Sequence, residues 1–393
     1  MTSRPSEQND ADYLLIGGGL QNALILLALA KRNPTATVLM LEQDQSLGGN
    51  HIWSFQALDL PVAARSWAAP VAEYTWPGYQ LYFHQSSRWV GGTYSSLSSE
   101  HLERLLRQAE VDNPNIRIRT GARVRASDAT SATLEDGTVL RGRLVIDARG
   151  PESRTGASGG GYQKFLGLEC KLRRPAPITA PILMDTRCTQ RNGFRFLYVL
   201  PFAPDRVLVE DTYFSNSPEI DADALRAPLV ADAAAMGLDI ERVLRTEVGV
   251  LPMPSRNVFN PQARGPIQGG YTGGWFNPGT GYSFAAAIRL AEHLSQTPIE
   301  QVFGPQWRGL VRRMRVQAVF FAFLNLLMFG FFHDAQRRKL MERFYLLPDP
   351  VIHRFFAMET TLADQWRILW VGAPWTPKGW ARRPETQPPV TSE

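Results

Sequence analysis

Cysteine is almost missing. Cys170 and Cys188 are the two in 393 residues, and they give neither a disulfide framework nor metal-ligand spacing. Both are expected to be buried structural thiols in a reducing compartment. No basic stretch leads into an apolar run ending in small residues, so no secretory leader is expected. Charge of one sign is scarce too: 42 Lys and Arg against 37 Asp and Glu leave +5. No Lys/Arg-dense run or recognised module speaks for nucleic acid. An apolar share of 44% excludes general disorder. Only residues 1–10 and the Pro- and Thr-rich tail from Arg382 are expected to fray. A chain of this length has room for roughly two domains.

The small excess of charge is local. Gly304 to Glu393 holds 13 basic and 7 acidic residues, so the whole excess lies in the last quarter. There, Val316 to Phe332 reads VQAVFFAFLNLLMFGFF, with no charge and six Phe. Arg312, Arg313 and Arg315 precede it; Arg337, Arg338 and Lys339 follow it. As a helix it is about 25 Å long, short of the ~30 Å hydrocarbon core. Cations on both flanks give no inside–outside asymmetry. The segment is expected to pack inside the protein or dip into one leaflet of an anionic surface, rather than span it.

The strongest motif lies at residues 12–44, DYLLIGGGLQNALILLALAKRNPTATVLMLEQD. An apolar strand runs into Gly17-Gly18-Gly19, a helix follows over about 20–32, and a second strand ends at Glu42. This is a βαβ dinucleotide fingerprint. Gly17 makes the tight turn, Gly19 lets a pyrophosphate approach the helix N-terminus, and Glu42 is spaced to take a ribose hydroxyl. The third glycine position is Asn22, a departure expected to loosen helix–strand packing. Gly48-Gly49 follows the second strand, as it does in two-dinucleotide-domain flavoproteins. LVIDARGPESR (144–154) is an apolar strand ending in Asp147, Gly150 and Arg154, similar to the Asp-Gly stretch of flavin hydroxylases. GGYTGGWFNPGTGYSFAAAIRLAEHL (269–294) is a Gly-rich loop entering a helix, but Gly274 is followed by Trp275 where such loops carry an acid. These segments favour FAD over NAD. Arg149 and Arg154 are possible phosphate or carboxylate partners, with surface salt bridges as the commoner fate.

RVLVEDTYF (206–214) reads as a strand with two carboxylates at its centre. Side chains alternate, so Glu210 shares a face with Leu208, Thr212 and Phe214, while Asp211 points the other way. A carboxylate on such a face either sits on a solvated edge or is held in an apolar site for a purpose.

Taken together, GGNHIWSF (48–55), FRFLYVLPFAPDRVLVEDT (194–212), GVLPMP (249–254), FNPGTGYSF (276–284) and MERFYLLP (341–348) resemble the FAD-dependent lycopene cyclase family, the bacterial lycopene β-cyclases, over nearly the whole chain. The resemblance implies an α/β fold: a Rossmann-type, flavin hydroxylase-like FAD domain (11–155 and 245–300) interleaved with a mixed-sheet substrate domain (156–244). A helical membrane-associating gate (301–381) and a disordered tail (382–393) complete it. It implies ring closure at the ends of lycopene and related linear carotenes, giving β-carotene without net redox change. It also implies reduced FAD with NADPH or NADH as reductant, and a peripheral place on the cytoplasmic face of the inner membrane. Glu210 is the expected proton donor, since an alkene needs a neutral, dry carboxyl group close by and burial raises a carboxyl pKa. Asp211 is expected to anchor structure. Gly17, Gly19, Asn22, Glu42, Gly48, Gly49, Asp147, Gly274, Pro278, Gly281 and Tyr282 are the expected flavin-binding residues. Trp53, Phe55, Trp275, Phe276, Tyr282 and Phe284 are expected on the flavin side, where aromatic faces stabilise a cation or simply pack. His51 is either a flavin-pocket residue or a hydrogen-bonded structural histidine. The rivals are an FAD-dependent monooxygenase, an isoprenoid reductase and a pigment carrier. Product mass separates the first two, and a carrier converts nothing.

Overall fold

The computed structural model describes residues 9–372 except 151–158, 192, 263 and 264; Arg154 and the tail from 382 lie outside the described residues. The chain opens with β1 (Ala11–Ile16), α1 (Leu20–Arg32) and β2 (Val38–Leu41), then β3 (Ile52–Gln56), the short α2 (Arg65–Ala68), β4 (Tyr74–Tyr82) and β5 (Ser87–Ser98). It continues through α3 (Ser99–Asp112), β6 (Ile116–Arg119), β7 (Val124–Ser127), β8 (Ser131–Leu134) and β9 (Val139–Asp147). A long run of strands follows: β10 (Gly160–Leu172), β11 (Ile182–Asp185), β12 (Phe194–Ala203) and β13 (Arg206–Ser215). After α4 (Ala222–Ala235) come β14 (Ile240–Pro254) and β15 (Ile267–Gln268). The end is helical: α5 (Phe284–Gln296), α6 (Pro305–Gly330), α7 (Asp334–Phe344), α8 (Asp349–Phe356) and α9 (Leu362–Gly372).

Two sheets organise these elements. In the first the order is β6-β2-β1-β9-β8-β7, with β15 also on β9. Its β6, β2, β1, β9 and β15 pair in parallel. Parallel strands need cover on both faces, and β1 and β2 are accordingly apolar and buried almost throughout. On one face α1 and α5 pack against each other, with the Tyr13 hydroxyl of β1 donating to the Leu294 carbonyl of α5; on the other, Ala122 and Val124, Ala132 and Leu134 of the β7–β8 meander pack on Leu14, Leu39 and Val145.

The second sheet has the order β14-β10-β13-β12-β11-β4-β5-β3. It corrects the expected boundaries. Residues 52–98 and 245–254, assigned to the nucleotide domain from sequence, pair into this sheet. One face carries Leu166, Leu168, Val199, Val207 and Val209 against Leu229 and Ala233 of α4. The other, with Phe196, Tyr198, Leu208 and Phe214, turns toward the first sheet and the C-terminal helices.

Candidate active site

Between the sheets lies one continuous cavity of about 1460 Å³, running from the β1–α1 turn to the C-terminal helices. It is larger than the roughly 300–1,000 Å³ of ordinary small-ligand pockets. At its polar end Gly17 takes φ +93°, and a Cβ there would lie 3.0 Å from the Ala148 carbonyl oxygen. A Cβ on Gly19 would meet nothing within 4 Å, so the wall beside the helix start is open. No side chain caps α1, and its first turn holds no acid, so its leading N–H groups face the cavity as an anion site. Glu42 accepts from Gly18 N at 2.6 Å and from Asp44 N at 3.0 Å, and still lines the cavity. Gly48 (φ +78°), Gly49 (φ +68°), Asp147, Gly281 and Tyr282 line it too. A dinucleotide fits this donor set and this open cradle.

Three expected flavin contacts are placed elsewhere. Asn22 is fully buried, and its Nδ2 donates to the carbonyls of Ile16 and Gly17, both at 2.9 Å. It ties the turn together rather than loosening it. Gly274 packs on the backbone of Val258 and Phe259, and Pro278 accepts through its carbonyl from Asn325 Nδ2 at 2.7 Å. None of the three lines the cavity. Trp275, standing in the acid's place, is fully buried and donates Nε1–H to Gln268 O at 3.0 Å. Asp147 is clamped by Arg149 (Nη2–Oδ2 2.6 Å) and Ser127 (2.8 Å). Burial alone would raise its pKa, but these bonds outweigh it and hold the carboxylate below its usual range. Arg149 is therefore occupied within the fold.

At the other end, β13 separates its two acids as alternation requires. Asp211 is 0% exposed on the α4 side, accepting from Arg195 Nε at 2.5 Å and Tyr213 OH at 2.9 Å. Glu210 faces the cavity, and the surface it shows is cavity wall. In register across the sheet stand Tyr198 (β12), Glu210 (β13), Gly167 (β10) and Glu247 (β14). Burial first, then the Glu247 carboxylate, push the Glu210 pKa well above the ordinary carboxyl value, and the Arg245 cation opposes this in part. A neutral carboxyl group in an apolar cavity is a proton donor of the kind an alkene requires.

Of the companions of Glu210, sequence reasoning named Tyr282 and His51 but missed Tyr94, Tyr198, Ser54 and Glu247. The hydroxyls of Tyr282, Tyr94 and Tyr198 form a chain (3.0 and 3.1 Å), ending on Ser54 Oγ at 2.8 Å from Tyr198. Burial raises the pKa of all three phenols, which stay protonated. Glu247 accepts from or pairs with His51 Nδ1 at 3.0 Å, so His51 serves a carboxylate, as its hydrogen-bonded alternative allowed. Trp53, Trp275, Tyr282 and Phe284 line the cavity; Phe55, stacked on Phe284 at 3.9 Å, and Phe276, stacked on Tyr271 at 4.3 Å, are core packing. Beyond Glu210 the walls are Phe165, Phe196, Phe214, Met328, Phe344 and Phe356. Thr212 presents a buried hydroxyl without a partner there.

Residues of α6, α7 and α9 line this end of the cavity. Among the described residues α6 is the helix long and apolar enough to cross a membrane. It lies half-buried along the protein instead. Trp307, Met314, Ala318, Phe321, Asn325 and Phe329 face inward, whereas Val316, Val319 (52% exposed), Phe323 (44%) and Leu326 form an outward stripe. Leu362, Trp366 (65% exposed) and Trp370 form a second stripe on α9, and Gln317 joins the two helices through the Thr360 backbone. Arg312, Arg313, Arg315 and Lys339 are exposed nearby. Arg337, expected as a surface cation, is buried: it donates to Met328 O at 3.0 Å and pairs with Asp334 at 2.7 Å. Both thiols are pushed by burial up to about 11, as inert structural cysteines require.

Known proteins share this arrangement. The family model described as lycopene cyclase protein matches residues 12–380. The chain is 36% identical to the lycopene beta-cyclase of Pseudescherichia vulneris over 95% of its length and 96% of that protein's. It is 34% identical to that of Pantoea ananas over 91% and 94%. A solved geranylgeranyl bacteriochlorophyll reductase-like protein from Thermoplasma acidophilum superposes with a TM-score of 0.63 at 14% identity, covering 91% of this chain and 95% of that one. That likeness shows the fold; the sequence matches, which span both sheets and the C-terminal helices, show that the chain belongs to the lycopene cyclase family.

Proposed function

We propose that the protein is a lycopene β-cyclase that closes the linear ends of lycopene to β-rings, giving β-carotene through the one-ring intermediate. The observation that carries this is Glu210: a carboxyl group held neutral on an apolar cavity wall, at the register position where the family resemblance places the acid. Glu210 gives its proton to the terminal alkene carbon. The tertiary cation so formed is attacked by the nearby double bond, and loss of a ring proton to a carboxylate restores neutrality, so the substrate's mass does not change. Tyr198, beside Glu210, and Trp53 and Tyr282 exclude water and turn aromatic surface toward the cation, worth roughly 0.5–2 kcal/mol per face. Gly17, Gly19, Glu42, Gly48 and Gly49 are the groups that would hold FAD. Bound in reduced form, kept so by NADPH or NADH, it would supply negative charge beside the developing cation.

The membrane reading rests on α6 and α9. Two apolar stripes, the one on α9 with exposed tryptophans, lie on helices that also line the cavity, and exposed arginines stand on α6. Such a face suits peripheral docking, which delivers an apolar rod from one leaflet straight to the entrance. We place the protein on the cytoplasmic face of the inner membrane.

The test is anaerobic incubation with lycopene, FAD and NADPH, followed by product mass and absorption. β-Carotene of unchanged mass is expected from the wild type, and Glu210→Gln should lose at least ~10²-fold in rate while keeping flavin. A product heavier by oxygen or by hydrogen would replace this reading with a monooxygenase or a reductase.

A further inference from the structure

Glu210 is not alone on its row of the sheet. Its inner neighbour on β10 is Gly167, and the neighbour beyond that, on β14, is Glu247. A Cβ at Gly167 would come within 3.1 Å of Glu210 Cγ and 3.3 Å of its Oε1. The Glu210 side chain therefore lies across the glycine, in the space a larger residue would fill. Both carboxyl groups line the same cavity. Glu247 is 4% exposed and doubly fixed, by His51 Nδ1 at 3.0 Å and by Ile52 N at 3.3 Å. His51 also lines the cavity and its side chain is 37% exposed, so this line of groups runs from a more open part of the cavity to the acid.

Resting on the cyclase reading, we propose that Glu247, oriented by His51, is a positioning residue that keeps Glu210 protonated between turnovers and returns its proton. The chemistry requires that Glu210 be reprotonated after each ring closure. Each ring closure moves one proton from Glu210 to carbon and releases one from the ring, so the balance closes only if Glu210 regains a proton before the next end group arrives. Two carboxyl groups sharing one site cannot both ionise cheaply, so one of them keeps its proton. Glu247 faces a ring nitrogen and accepts from a backbone N–H, and its charge raises the pKa of Glu210. His51 can pass a proton inward across its hydrogen bond to Glu247. The other ionisable groups facing Glu210 are Arg245 on β14, itself paired with Glu169 and Glu100, and the phenols of Tyr198 and Tyr94. None of these offers a second carboxylate to Glu210.

The experiment is the pH dependence of cyclisation in wild type, Glu247→Gln, Glu247→Asp and His51→Gln, each with bound flavin measured. Removing the Glu247 charge lets Glu210 ionise at lower pH. The alkaline limb of Glu247→Gln should move acidward, with a rate roughly tenfold lower at the pH of the wild type's alkaline midpoint. Glu247→Asp, which keeps the charge, should leave the limb near its wild-type place, and His51→Gln should slow turnover more than it raises KM. Should Glu247→Gln be inactive at every pH, the infrared stretch of the protonated carboxyl group, assigned by its loss in Glu210→Gln, reads the same midpoint without turnover. An unmoved limb or an unmoved infrared midpoint in Glu247→Gln overturns the inference. Failure of the wild type to cyclise lycopene would instead remove the reading beneath it.

Discussion

Asp211 offers a sharp test of the claim that adjacent acids on one strand have opposite duties. Its carboxylate is fully enclosed and accepts from Arg195 Nε (2.5 Å) and Tyr213 OH (2.9 Å), with Arg191 at 3.8 Å. Arg195, only 1% exposed, depends on Asp211 and on Asp232 of α4, and donates to Thr189 O at 3.1 Å. Asp211→Ala leaves the Nε–H of a buried guanidinium without its carboxylate, a defect of about 3–5 kcal/mol. The stranded Tyr213 hydroxyl lies in the same network, so its cost overlaps rather than adds. Asp211→Asn keeps an acceptor in place and forfeits only the charge, about 1–3 kcal/mol. At about 2 °C per kcal/mol for a large chain, the alanine variant should melt roughly 6–10 °C lower and the asparagine variant a few degrees lower. The double change Asp211→Leu with Arg195→Met should recover much of the loss, because an apolar pair replaces a buried charge pair well. The assay is thermal unfolding alongside cyclisation per flavin-bearing molecule. Asp211→Asn should retain activity in proportion to its folded, flavin-loaded fraction. If it instead unfolds like the wild type, binds flavin and fails to cyclise, Asp211 belongs to the chemistry and the division of labour proposed for β13 is wrong.

Glu210 predicts a stability effect of opposite sign. Its folded pKa is raised, so its stabilising contribution is full below the unfolded carboxyl pKa and is lost as pH rises through the folded value. The melting temperature of Glu210→Gln minus that of the wild type should therefore grow as pH increases; a gap that is flat or shrinks would show that the acid is not strained by burial. On the outer surface, Val319→Glu with Phe323→Glu should cut co-sedimentation with anionic vesicles at least ~10-fold without lowering the melting temperature, since both side chains are exposed. Unchanged vesicle binding would move the docking face elsewhere.

What could be read from the sequence was local. The run from β1 through Gly17 and α1 to Glu42 is continuous in the chain, and its spacing encodes its geometry. So does the alternation that sends Glu210 and Asp211 to opposite faces. Asn22 was visible as a departure, yet its compensation, two hydrogen bonds back to the strand end, depends on side-chain direction. The excursion from β3 to β5 carries no punctuation that marks a change of sheet, so its residues were assigned to the nearest recognisable motif. Glu247 was hidden for a topological reason. Glu210 and Glu247 are brought together by β10, which pairs with both of their strands. Arg337 looked like a surface cation because it follows an apolar run, but a turn after α6 folds it back onto the carbonyls of Met328 and Phe214.

The cavity face of the second sheet explains how one acid can be both supplied with protons and dry. Its successive rows change character, stepping about 6–7 Å each. The first joins Leu208 to Glu169 and Arg245, with Glu169 also paired to Arg206. The second is Tyr198, Glu210, Gly167 and Glu247; the third is Phe196, Thr212, Phe165 and Gly249, where Gly249 leaves the space that Phe165 fills. The fourth holds Phe194, Phe214, Gln163 and Leu251. Beyond it, Phe329 of α6 packs on Gly161 and Asn325 ties α6 to Pro254. Glu210 thus stands at the boundary between charged and apolar rows. Hydrocarbon approaching from the α6 end passes mostly aromatic and aliphatic surface, interrupted by Gln163 and the Thr212 hydroxyl, before it reaches the acid. In the proposed relay protons approach along the row of Glu210 itself, through His51 and Glu247. An acid one row further in would have no proton source, and one row further out would be ionised by Arg245 and Arg206.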